Sequence, residues 1–163
     1  MVGVVAWFAP GLVGGGDPIT QGCLSGVGTL SMLPLLFLLR FGLGTLSYAA
    51  KTPGGLFAPM LVLGAQLGLF FGIVSRLGFP GLDIQPEAFA VVGMAAFFTG
   101  VVRAPLTGMV LVTEMTGSVT MLLPMLGACF VAMLVPTLLG DVPIYDALRE
   151  RTTRQDHLKT RRR

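Results

Sequence analysis

The 163 residues are 53% hydrophobic and only 12% charged, about half the charged fraction of an ordinary soluble domain, which argues against a water-soluble fold and places the chain in lipid. The formal charge of +3 belongs to the tail: residues 1–140 hold four basic and four acidic side chains, and the last 23 residues hold seven and four. An enzyme reading has little to work with, because there is no Ser/His/Asp set, no metal-ligand spacing and no GK[ST] after a glycine-rich loop.

From the start, Met1 to Phe8 lacks a basic region and leads into "APGLVGGGDP" (Ala9 to Pro18), so no cleavable signal peptide is expected. Four glycines and two prolines in those ten residues predict a loop. Val27 to Ala50 is apolar apart from Pro34 and Arg40 and reads as one kinked or tilted span. An arginine at depth costs about 2.5–3.5 kcal/mol on insertion scales, so Arg40 is expected to face protein, water or headgroups. The uncharged stretches 52–75 and 115–140 are each long enough to cross a bilayer, which takes about 20 apolar residues. Gly64, Gly68 and Gly72 recur in the first at every fourth position, a spacing that lets a second helix approach closely.

After the polar connection "GFPGLDIQPE" (Gly78 to Glu87), Arg103 and Pro105 divide residues 88–113 into two pieces, each shorter than the hydrocarbon core. Two half-helices or a re-entrant hairpin are expected there, a form tolerated only where protein surrounds it or a cavity adjoins it. A last span from about Val119 to Leu139 carries Pro124 and Pro136. Residues 1–140 thus form a membrane domain, and 141–163 a cytoplasmic helix and basic tail, oriented by the positive-inside rule. The terminal "KTRRR" has no aromatic interleaving and suits anionic lipid rather than nucleic acid. His157 lies in this tail, and Cys23 and Cys129 stand apart as small buried hydrophobes.

Two features carry chemistry. Glu114 is the only acid between Glu87 and Asp141, and it suits either a proton-carrying role or a structural bond to backbone freed by the broken helices. Arg103 is its natural partner in charge, but eleven residues of continuous helix would separate them by about 16 Å. The second feature is "KTPGGLFAPML" (Lys51 to Leu61). Pro53 and Gly54-Gly55 end the preceding structure, and a helix is predicted to begin near Leu56 with Pro59 in its first turn, where a missing N–H costs nothing. Such a start leaves N–H groups without acceptors at the positive end of the helix dipole. Transporters aim such half-helix ends at anions; a tight turn at the membrane surface is the plain alternative.

"GGLFAP" (Gly54 to Pro59) resembles the GxFxP anion-binding motif of the CLC chloride channels and chloride/proton antiporters, and "GGGDPI", "VVRAPLTGMVLVTEMTG" and "VPIYDAL" stand in the family's order. The resemblance covers nearly the whole chain. It implies an all-α polytopic membrane protein with broken and re-entrant helices, the second repeat of an inverted-repeat fold, sited in a cell inner or plasma membrane. It further implies that the backbone N–H groups of Leu56 and Phe57 and the hydroxyl of Tyr145 bind chloride, with no cofactor. A homodimer interface across residues 104–139 is implied as well, and Glu114 becomes structural, since it is not among the family's proton-coupling glutamates.

The family's GSGIP and GxEGP loops do not occur in these 163 residues, so the chain reads as the second half of a CLC protein that supplies part of the anion site, a separate chain being one source of the missing first half. A truncated, non-transporting remnant or interaction subunit is the alternative. Three hydrogen bonds to a charged group supply roughly 5–9 kcal/mol, comparable with the several kcal/mol that desolvating an ion costs after relaxation. One wall alone is therefore a marginal site.

Overall fold

Proline and glycine, not charge, set the helix ends. In a computed structural model, described over residues 16–26, 30–49, 55–146 and 149, six helices succeed one another without a strand among the described residues. They are α1 (Asp17–Leu24), α2 (Met32–Ala49), α3 (Phe57–Gly78), α4 (Pro86–Val102), α5 (Pro105–Thr116) and α6 (Leu122–Leu138). Proline opens α1, α4 and α5 in the first turn, where its fixed φ suits a helix and its missing N–H is no loss. Pro34 falls in the first turn of α2, so it starts that helix instead of kinking it, and the single kinked span expected over Val27 to Ala50 is a helix from Met32. Most of the predicted loop at Ala9 to Pro18 lies outside the described residues.

Helix α3, 22 residues long, spans about 33 Å and is the one described helix that is both long and apolar enough to cross a bilayer. The three glycines of its repeat receive α4. A Cβ on Gly64 would lie 2.6 Å from the Gly93 carbonyl oxygen, one on Gly68 would lie 2.9 Å from Ala90 Cα, and one on Gly72 would lie 2.7 Å from Pro86 Cα. Gly93 returns the fit, since its own Cβ would meet the Gly64 carbonyl at 2.5 Å. Residue numbers falling on α4 as they rise on α3 make the pair antiparallel. Leu69, Ala90, Met94 and Ala95 are fully buried in the core that this contact closes. Arg40 is also buried, its guanidinium set against Gly16, so of the three surroundings expected for it the structure selects protein.

Two chain reversals shape the C-terminal half. At the end of α4, Arg103 takes φ 63° and its N–H donates to the Thr99 carbonyl at 2.8 Å, the left-handed stop that glycine usually provides. An L-residue there costs about 1–2 kcal/mol. Ala104 and Pro105 then start α5, so 88–113 is two half-helices, as the sequence predicts. At the end of α6, Gly140 (φ 72°) donates to Thr137 at 3.1 Å and Asp141 donates to Pro136 at 3.1 Å, the paired bonds of a Schellman turn. The chain then passes through Asp141, whose carboxylate accepts the Val142 N–H at 3.0 Å, into a helical turn over 144–146.

Candidate anion site

Helix α3 begins as the sequence predicts. Leu56 caps it at φ −77°, ψ −17°, and its carbonyl accepts the Met60 N–H at 3.1 Å. No acceptor within the helix can serve the N–H groups of Leu56, Phe57 and Ala58, and Pro59 has none to offer. No side chain caps this end, and its first turn contains no acidic residue. The positive end of the dipole is therefore not neutralised by the helix's own residues, which is the condition under which a helix start favours an anion. Gly55, just upstream, is exposed and has open space where a Cβ would be.

This start is held in place from the side. The Phe57 ring meets Phe98 edge to face, with centroids 5.5 Å apart and planes at 75°, an arrangement that contributes about 0.5–1.5 kcal/mol beyond burial. Phe98 is buried near the end of α4. The donors of α3 are thus fixed against α4 through a side chain that sequence reasoning passed over. No local signal singles out Phe98, because its partner lies 41 residues away in the chain.

Arg103 is held on three sides. Its Nη1 donates to Thr137 Oγ1 at 2.7 Å, its Nη2 to the Asp141 carbonyl at 3.0 Å and its Nε to the Gly100 carbonyl at 3.4 Å. Thr137 in turn donates its hydroxyl proton to Met133 at 2.6 Å, leaving a lone pair for the guanidinium. Glu114 plays no part here. It lies near the far end of α5 and is exposed, and no hydrogen bond of its side chain to freed backbone is found among the described residues. Arg103 and Glu114 stand at opposite ends of α5, so the pairing considered from charge alone does not form.

Tyr145 lies in the turn after Asp141 and is half exposed. Leu56 and Phe57 are adjacent and packed on the core; among the described residues no hydrogen bond or ring contact joins Tyr145 to either. What links the two segments is indirect: Phe57 to Phe98, then α4 to Arg103, then Asp141. A groove of about 380 Å³ bordered by α3, α4 and α6, lined by Leu67, Phe71, Phe97 and Ala132 among others, is almost wholly apolar. It offers an anion nothing.

Comparison with known proteins agrees with this architecture. The chain is 41% identical over 157 residues to the H(+)/Cl(−) exchange transporter ClcA of Vibrio parahaemolyticus, covering 96% of this chain and 34% of that protein. It is 40% identical over 152 residues to the ClcA of Yersinia pestis, covering 93% and 32%. Among solved structures, a slow cyanobacterial Cl−/H+ antiporter superposes with a TM-score of 0.81 at 38% identity, over 86% of this chain and 33% of that one. The chain thus spans about a third of the length of these relatives. The family model for the voltage-gated chloride channel matches residues 1–137, and with the helix order and the GGLFAP start in place, the chain belongs to the voltage-gated chloride channel family and is an all-helical membrane protein of that fold.

Proposed function

We propose that this chain takes part in chloride transport across a membrane, in exchange for protons, and supplies one wall of the anion site. The observation that carries the reading is the start of α3, with three N–H groups lacking helical acceptors and no acidic residue in its first turn. That its relatives are named exchange transporters and an antiporter favours coupled exchange over a channel. Chloride would shed water onto the Leu56 and Phe57 N–H groups and the Tyr145 hydroxyl, with no cofactor. Residues 1–140 form the membrane body and 141–163 the cytoplasmic tail, in a cell inner or plasma membrane. The exposed apolar side chains of α5 and α6, among them Leu106, Val110, Leu123, Phe130 and Leu138, favour a homodimer through 104–139. The opposite wall of the site, with GSGIP and GxEGP loops, comes from sequence outside these residues.

Chloride efflux from liposomes tests this directly. Liposomes holding the chain together with a polypeptide that carries those loops are expected to release chloride and take up protons, and silence of the complete assembly would overturn the reading. Within that assembly, Tyr145→Phe removes one hydrogen bond to a charged ligand and is expected to weaken chloride binding by about tenfold or more while thermal stability holds. Calorimetry showing unchanged affinity would strip Tyr145 of its role.

A further inference from the structure

Arginine is an odd choice for position 103. The backbone there is left-handed, at φ 63°, where glycine is free of strain. The side chain that occupies this costly position reaches out of its own helix to two groups 34 and 38 residues away, the Thr137 hydroxyl and the Asp141 carbonyl. An outlier of this kind points from strain to function. The Asp141 carbonyl is the first beyond the Schellman turn that ends α6, and four residues later comes Tyr145. On the other side, α4 carries Phe98, the ring on which Phe57 is seated. Arg103 is therefore the one polar connection, among the described residues, between the helix that supports the α3 start and the segment that carries Tyr145.

We infer that Arg103 is a positioning residue for the anion site: by gripping the Asp141 carbonyl it sets the Tyr145 segment relative to the donors of α3. This rests on the reading of Leu56, Phe57 and Tyr145 as chloride ligands. The guanidinium suits the task because its planar fork reaches two acceptors at once, whereas a lysine offers a single flexible ammonium. It also lies at the C-terminal end of α4 and beside that of α6, where the negative ends of both dipoles hold a cation in place.

The test uses Arg103→Gly, which relieves the backbone while deleting the grip, so loss of the fold is not built into the experiment. In the reconstituted assembly, Arg103→Gly is expected to weaken chloride binding by roughly three- to tenfold, the worth of one net hydrogen bond. Amide exchange is expected to quicken over residues 141–146 and to stay as it was in α5 and in α6. Arg103→Lys should recover only part of the affinity. The decisive comparison is the double variant Arg103→Gly with Tyr145→Phe: if Arg103 acts through Tyr145, the double variant binds chloride about as well as Tyr145→Phe alone. Additive losses, or exchange that quickens throughout α4 and α6, would make Arg103 an ordinary helix cap and overturn the assignment. An unchanged affinity in Tyr145→Phe itself would sink the anion-site reading along with the assignment, an outcome distinct from additivity.

Discussion

Leu56→Pro is expected to lower chloride affinity about 10- to 150-fold, the equivalent of losing one hydrogen bond to a charged group at about 1.5–3 kcal/mol. The substitution isolates a backbone donor, which side-chain mutagenesis ordinarily leaves in place. Leu56 has φ −77°, close to the value to which proline is locked, and its carbonyl remains free to accept the Met60 N–H that closes the first turn. The restriction that proline imposes on its predecessor falls on Gly55, which has no Cβ to clash. Helix α3 should therefore form as before, with one N–H fewer at its tip. Leu56→Ala serves as the control, since it trims the partly buried side chain and keeps the donor. Isothermal calorimetry with chloride reads both; equal affinities for the two variants would remove the Leu56 N–H from the site.

Gly68→Leu is expected to prevent folding of the assembled protein, or to destabilise it by about 3 kcal/mol or more, the upper range for an overpacked interior. A Cβ at Gly68 would lie 2.8 Å from the Phe89 carbonyl carbon and 2.9 Å from Ala90 Cα. These are backbone atoms, which no change of rotamer can move aside. Relief requires α3 and α4 to separate, and Gly64 and Gly72 on the same face then lose their contacts too. Gly68→Ala should give an intermediate loss, because it adds the offending atom alone. Gly100→Ala should keep or slightly raise stability, by up to about 1 kcal/mol, since its Cβ meets nothing nearer than 3.4 Å. Thermal unfolding of the purified protein in detergent, with size exclusion alongside, ranks the three; a Gly68→Leu protein as stable as the parent would show that α3 and α4 are not in backbone contact at this glycine.

These two sites differ in how far the sequence alone reveals them. The start of α3 is legible from residues within a few positions of one another: two glycines precede Leu56, and Pro59 is best placed in a first turn, where its missing N–H costs nothing. The same holds for the break at Arg103 and Pro105. The glycine repeat of α3 announces a close neighbour but does not identify it. Gly93, Ala90 and Pro86 became that neighbour through the antiparallel return of the chain. Charge alone names Glu114 as the nearest acid to Arg103, but helix spacing argues against that pair and names no other partner. The left-handed turn sent the guanidinium toward the end of α6, where a hydroxyl and a carbonyl satisfy it instead. Neither acceptor carries a formal charge, so no pattern of charges could have pointed to them.

By itself, the sequence of this protein determined its class and its punctuation: an apolar chain broken by proline and glycine into spans and half-spans, with a helix start whose first N–H groups lack helical acceptors. Those properties are local, because backbone sterics and unpaired N–H groups act within one turn. Tertiary structure alone decided which helix fills the glycine face, which ring seats Phe57 and which carbonyl Arg103 grips before Tyr145. Each of those contacts joins residues tens of positions apart, and the path of the chain, not the periodicity of any one segment, brings them together.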